Sequence, residues 1–272
     1  MLRLYHGFPV IDFHTHIFPD KLATRAIDAI LQGREFHKFS DATLSGLLKN
    51  MDEQGIEASV IQPIITKPSQ LETTNRWAAS VAGERIIPFG GVYPLSETFE
   101  SDIDFVRSLG IRGLKFHAEY QNYIVDTPEV MPLYRYAAHV GLPALFHGGE
   151  DLSMKPPFKS SPQQYAHIAD EIPSLRMVVA HLGGFRQWDD VEEYLVGRDN
   201  VWLDTSMGFE YFPHEQFLRI VKKHGADRIL FGSDSPWSDA SAELQTLERL
   251  LKNDTDFEKI VCLNAKRLLE EK

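Results

Sequence analysis

Two histidines stand two residues apart in VIDFHTH, His14 and His16, at the end of a strand-like run. Side chains two apart on a strand point to the same face. Two imidazoles converging from one face can reach one cation, at about 2.0–2.1 Å in the case of zinc. Three further ligand types recur in one setting. His147 ends the apolar run PALF before Gly148-Gly149, His181 ends MVVA before Leu182-Gly183-Gly184, and Asp234 follows ILFGS. Each sits at the carboxyl end of a predicted strand, where barrel enzymes place their catalytic residues. One such histidine is readily a satisfied core residue. Four histidines and an aspartate in register with strand ends are not a packing pattern, and they predict a metal site.

Around that set the sequence offers substrate contacts. Lys115 and His117 end GLKFH, and strand alternation puts them on one face, pointing inward. Arg186, in HLGGFRQW just after His181, is a candidate anchor for an anionic substrate, because arginine grips carboxylates bidentately. The competing reading of Arg186 is a surface salt bridge. Trp188 and Trp237 fall at the same end and either wall the pocket or pack at its rim. His139 and His224 lie near predicted helix C-termini, where imidazolium suits the helix dipole. His6, His37, His167 and His214 lack a strand-end setting and read as surface or loop residues.

The elements that must position these groups follow an alternating strand–helix pattern. Predicted strands are Val10–His14, Ala58–Gln62, Ile87–Tyr93, Gly113–His117, Pro143–His147, Met177–His181, Val201–Thr205 and Ile229–Gly232. Predicted helices are Ala42–Gln54, Gln70–Val81, Phe99–Ser108, Glu129–His139, Gln163–Glu171, Asp189–Leu195, His214–His224 and Ala240–Leu251. Gly55, Gly110, Gly141 and Gly225 follow such stretches as expected for C-caps. Eight strands and eight helices suit a closed parallel barrel, while periodicity alone also leaves a doubly wound sheet open. From Phe18 to Phe39 an extra amphipathic patch intervenes, with Leu22, Ala26, Ile27, Ile30 and Leu31 at helical intervals. Following the first strand, it should cover one end of the sheet and contact substrate. Residues 257–272 read as a terminal helix, and residues 1–272 as one domain.

Composition narrows the partners. The 272 residues are 43% hydrophobic and 25% charged, ordinary for a soluble globular chain. Lys plus Arg total 28 against 39 Asp plus Glu, a net charge of −11 that repels phosphate backbones and argues against nucleic acid. No stretch approaches the ~18–20 apolar residues of a membrane helix. The single cysteine, Cys262, forbids an intrachain disulfide and a thiolate metal site. With no signal-peptide pattern at the N-terminus, the expectation is a cytoplasmic protein. The expected partner is a small anionic molecule, with a homo-oligomer left open.

Taken together, the H-x-H after the first strand, single histidines after strands five and six, the aspartate in FGSDSP and the closing LNAKRLL resemble the amidohydrolase superfamily. The branch is similar to the amidohydrolase-related group containing the aminocarboxymuconate-semialdehyde decarboxylase-like enzymes. The resemblance implies an α/β fold, a (β/α)8 TIM barrel, with a divalent metal at its C-terminal mouth, zinc first and manganese second. It implies His14, His16, His147 and Asp234 as ligands, with His181 either a ligand of a second metal or a catalytic acid/base. A divalent cation lowers the pKa of bound water towards ~7 and polarises a carbonyl oxygen. Asp234 and His181 would then handle protons. The first expectation is hydrolysis of a small carboxylate-bearing ester, lactone or amide. The alternative is a nonoxidative decarboxylase of an unsaturated or aromatic acid. A non-catalytic metal-binding barrel is disfavoured by the complete ligand set. Lys115 occupies the place of the carboxylated lysine that bridges two metals in binuclear members, but the surrounding motifs lie closer to the mononuclear branch. One metal per chain is the expectation.

Overall fold

The computed structural model describes residues 4–31 and 37–270. The chain runs through β1 (Ile11–Thr15), α1 (Asp20–Leu31), α2 (Leu44–Gln54), β2 (Ala58–Ile61), α3 (Leu71–Ser80), β3 (Ile86–Pro88) and α4 (Phe99–Ser108). It continues through β4 (Leu114–Phe116), α5 (Ala118–Gln121), α6 (Met131–His139), β5 (Ala144–Phe146), α7 (Pro162–Glu171), β6 (Met177–Val179) and α8 (Trp188–Tyr194). Then come β7 (Val201–Asp204), α9 (His214–His224), β8 (Ile229–Leu230), α10 (Ala240–Leu251), α11 (Asp254–Glu258) and, after a π-helical turn, α12 (Asn264–Glu270). All strand pairings are parallel, β1-β2-β3 in one ladder and β4-β5-β6-β7-β8 in the other. Isolated backbone contacts span both seams between the ladders. Gly90 bridges to Leu114, and Lys115 N donates to Gly90 O at 2.8 Å. On the other side Phe13 N donates to Phe231 O (2.8 Å) and Asp234 N to His14 O (2.8 Å). The architecture is a (β/α)8 TIM barrel.

The paired ladders stop short of the chemistry. β4 ends before His117, β5 before His147, β6 before His181 and β8 four residues before Asp234. Beyond the ladder the backbone bends: His181, Leu182 and Asp234 have φ of 57°, 54° and 65°. The left-handed region is uncommon for residues with a Cβ. Hydrogen bonds hold it here, with Leu182 N donating to Asp204 O (2.6 Å) and Trp237 N to Asp234 O (2.8 Å). β3 is shorter than the predicted run to Tyr93, because Gly91 N leaves the ladder to bond Asn75 Oδ1 at 3.0 Å.

The segment after β1 forms a helix, α1, as its apolar spacing predicts; its residues 32–36 lie outside the described part of the chain. Ala23 and Ile27 of α1 are buried, while Leu22, Ala26 and Ile30 face a cavity over the strand ends. Near the end of α9 the charge expected of the structural His224 is corrected. His224 is not an imidazolium serving the helix dipole but a buried neutral ring. Its Nδ1 accepts from Gly197 N (3.0 Å) and its Nε2–H donates to Val201 O (3.1 Å). Burial, reinforced by the nearby Arg228 charge, pushes its pKa down to about 4.

Candidate metal centre and cavity

His14, His16 and Asp234 meet at the barrel mouth. Their near atoms are nearly equidistant: His14 Nε2 to His16 Nε2 3.2 Å, His14 Nε2 to Asp234 Oδ1 3.4 Å, and His16 Nε2 to Asp234 Oδ1 3.2 Å. Ligands about 2.0–2.1 Å from a tetrahedral ion stand about 3.3 Å apart, so the three atoms match one face of a coordination tetrahedron. Gly232 makes room for this approach, since a Cβ there would lie 2.8 Å from His14 Cβ.

The far nitrogens fix the tautomers. His14 Nδ1–H donates to the Asp204 carboxylate (2.8 Å) and His16 Nδ1–H to Gln62 O (3.2 Å), which turns both Nε2 lone pairs inward. Partners of this kind orient a ligating imidazole and raise its basicity. Across the floor, His147 Nε2–H donates to Glu150 O (3.3 Å) and His181 Nδ1–H to Ser206 O (3.0 Å). That leaves His147 Nδ1 and His181 Nε2 facing one another at 3.1 Å, both as lone-pair nitrogens. Two lone pairs so placed repel unless a cation or a donated hydrogen sits between or beside them. The loops that bring these two rings together are tightly fitted. Gly149, with φ of 79°, bridges to Phe185, and a Cβ on Gly149 would come within 2.3 Å of Phe185 N.

Electrostatics agrees with neutral imidazoles around an ionised acid. Burial lowers the pKa of His14 well below its usual value, and the Lys115 ammonium adds to the effect. Burial also lowers His16, against the pull of Asp234, and lowers His147, helped by His117 and His181. For Asp234 burial works upward, but the neighbouring His14, His16 and His181 rings outweigh it and hold the carboxyl at about 2. Lys115 is fully buried with its Nζ 3.2 Å from His14 Nε2, and burial pulls its pKa down to about 8 against Asp204 and Asp234.

The sequence-derived residues distribute as follows. Lys115, His117, His147, His181, Asp234 and Trp237 all line one cavity of about 670 Å³, together with His14 and His16. His147 stands apart from the implied four-ligand set: three of the four converge, while His147 pairs with His181 and stacks on His117 at 4.1 Å. His117 donates its Nε2–H to Asp151 Oδ2 (3.0 Å), and Asp151 Oδ1 accepts from Ser153 N and Oγ (both 2.6 Å). Arg186 does not reach the cavity. With φ of 59° it turns outward, half-exposed, 3.7 Å from Glu150 and over the Phe185 ring. Trp188 is buried behind the wall, its indole N–H donating to His181 O at 3.0 Å.

Two functional residues escaped the sequence reading. Asp204 ends the apolar strand VWLD, so the strand-end rule that selects Asp234 would have selected it as well. It is fully buried, and its second oxygen accepts from His181 N (3.0 Å) and Ser206 N (3.1 Å). One carboxylate thus braces both His14 and the His181 backbone. Asp151, four residues beyond His147, carries no periodic signal.

The amidohydrolase family matches residues 11–270, and the chain belongs to that family. It is an enzyme of the amidohydrolase superfamily. An uncharacterized TIM-barrel protein from Bordetella bronchiseptica is similar at 21% identity and a TM-score of 0.78, covering 96% of this chain and 98% of that one. A dihydroxybenzoic acid decarboxylase from Polaromonas sp. JS666, solved with bound manganese, is similar at 18% identity (TM-score 0.69, 97% of each chain). A probable 2-pyrone-4,6-dicarboxylic acid hydrolase from Acinetobacter baumannii follows at 16% identity (TM-score 0.65, 96% and 98% covered). No curated protein matches the chain. No helix among the described residues is long and apolar enough to cross a membrane.

Proposed function

We propose that this protein is a metal-dependent hydrolase of a carboxylate-bearing ester, lactone or amide. The observation that carries the reading is the set of inward lone pairs, fixed by hydrogen bonds at the far nitrogens, beside an Asp234 held ionised. The donor set of two imidazoles and one carboxylate fits a single zinc or manganese ion. His14, His16 and Asp234 would hold it, with His147 the further nitrogen ligand that the family resemblance implies. When bound, the ion supplies a water acidified towards neutral pH and a polarising charge for the scissile carbonyl. Lys115, as a free ammonium rather than a bridging carbamate, is the reason for one ion per chain.

The chain's own residues then divide the work. Asp234 accepts the proton of the water as its oxygen attacks the carbonyl carbon. His181, whose Nδ1–H is committed to Ser206 O, keeps an Nε2 lone pair that would take that proton on from Asp234 and deliver it to the leaving oxygen or nitrogen as its bond to the carbonyl carbon breaks. Lys115 orients the anionic substrate from the floor, the His117 ring lines that floor beside it, and Trp237 walls the substrate. Its single, buried Cys262 suits a cytoplasmic setting.

A second reading, nonoxidative loss of CO2, draws support from the same Lys115. A buried ammonium beside the ligand set would seat a substrate carboxylate where that bond breaks. Turnover in ¹⁸O-labelled water separates the two. One label retained in the product carboxylate supports hydrolysis; CO2 release with an unlabelled organic product overturns it.

A further inference from the structure

The cavity is divided by polarity. Its floor holds all the imidazoles, Asp234 and Lys115, and Lys115 is the only lysine or arginine on the cavity wall among the described residues. Its upper wall is mostly apolar, with the uncharged Gln70, Thr73 and Thr74 beside Trp77, and its apolar part comes from three directions. Leu22, Ala26 and Ile30 project from one face of α1, Trp77 from α3, and Met154 and Trp237 from the loops after β5 and β8. Leu22 is 51% exposed although Ala23 and Ile27 beside it are buried, so α1 turns an apolar face to the open cavity instead of packing it into the barrel. The acids on that side are committed, Asp151 to His117 and Glu150 to Arg186. A volume of about 670 Å³ lies in the range that encloses ligands much larger than a bare carboxylate.

From this division we infer that the substrate is two-part: one polar end, bearing the scissile carbonyl and the carboxylate, seated on the floor, and an uncharged apolar arm, alkyl or aryl, lying against α1 and Trp77. The inference rests on the proposed hydrolase reading for what happens at the floor, but the arm is a matter of binding alone. A second anionic group at the distal end is disfavoured, because it would be desolvated against α1 with no lysine or arginine among the described residues to meet it.

Binding tests this without turnover. Trp77 and Trp237 line the cavity and report on occupancy by their fluorescence, with calorimetry as an independent readout. Purified protein is titrated with butanoate, hexanoate, octanoate and decanoate, and with suberate, the dicarboxylate of octanoate's length. Affinity should rise about threefold to fourfold per added methylene, as apolar burial dictates. Suberate should bind at least about tenfold more weakly than octanoate, its second charge being desolvated without a partner. In Leu22→Asp, an exposed position that leaves the fold intact, decanoate affinity should fall about tenfold and the chain-length slope should flatten. A Kd that ignores chain length, suberate binding as tightly as octanoate, or an unchanged slope in Leu22→Asp overturns the inference. Failure of the labelled-water experiment with a preserved slope would overturn only the hydrolase reading.

Discussion

Asp204→Asn separates a braced metal centre from a merely buried polar cluster. The carboxylate accepts His14 Nδ1–H at 2.8 Å through one oxygen, and His181 N, Ser206 N and Ser206 Oγ through the other. Asparagine keeps the volume but has one acceptor oxygen. The three donors at Oδ1 retain that oxygen, so the new amide N–H2 confronts His14 Nδ1–H. His14 must then rotate or shift its proton to Nε2, and either change removes the inward lone pair. Loss of such a partner weakens metal binding about 10–100-fold, or about 1.4–2.7 kcal/mol. Competition against a chromophoric chelator with zinc and with manganese measures the change, and near-ultraviolet circular dichroism checks the fold. Affinity within twofold of the parent, with the fold intact, would refute the assignment of Asp204 as the brace of His14.

Three further outcomes follow from the geometry. Asp234→Asn removes the ionised oxygen that touches both imidazoles, so turnover should drop at least about 100-fold with circular dichroism unchanged; normal turnover would remove Asp234 from the chemistry. Elemental analysis after growth with excess zinc and bicarbonate should give one ion per chain in the parent and in Lys115→Ala. Two ions falling to one in that variant would show that the lysine is a bridge. His224 governs part of the acid stability. Its folded pKa of about 4 lies below the usual 6.5, so the unfolded chain takes up the proton first as pH falls. Its contribution is therefore complete above pH 6.5 and is lost towards pH 4, about 3 kcal/mol in all. Urea unfolding across that window should show a shallower slope in His224→Gln.

What the sequence determined by itself is local. The i, i+2 spacing of His14 and His16 on a strand fixes a shared face whatever the surroundings, and the alternation of apolar runs with amphipathic stretches fixes the order of eight strands and eight main helices. Ligand types at strand ends mark one rim, because a parallel barrel collects all its strand ends on one side. The apolar stripe of α1 was equally plain. What that stripe does was not: burial of Ala23 and Ile27 against the body, and exposure of Leu22, is decided by how the helix docks. Only the tertiary structure paired His14 with Asp204 across 190 residues, because that contact depends on closing β1 against the β7–β8 side of the barrel. It likewise set His147 against His181 and turned Arg186 out of the cavity. Those outcomes depend on backbone dihedrals past the ends of the ladders, φ of 57° at His181 and 59° at Arg186, which no side-chain period encodes. Periodicity reports which face a residue takes while the chain is regular; once the ladder ends, loop-to-loop hydrogen bonds choose the direction.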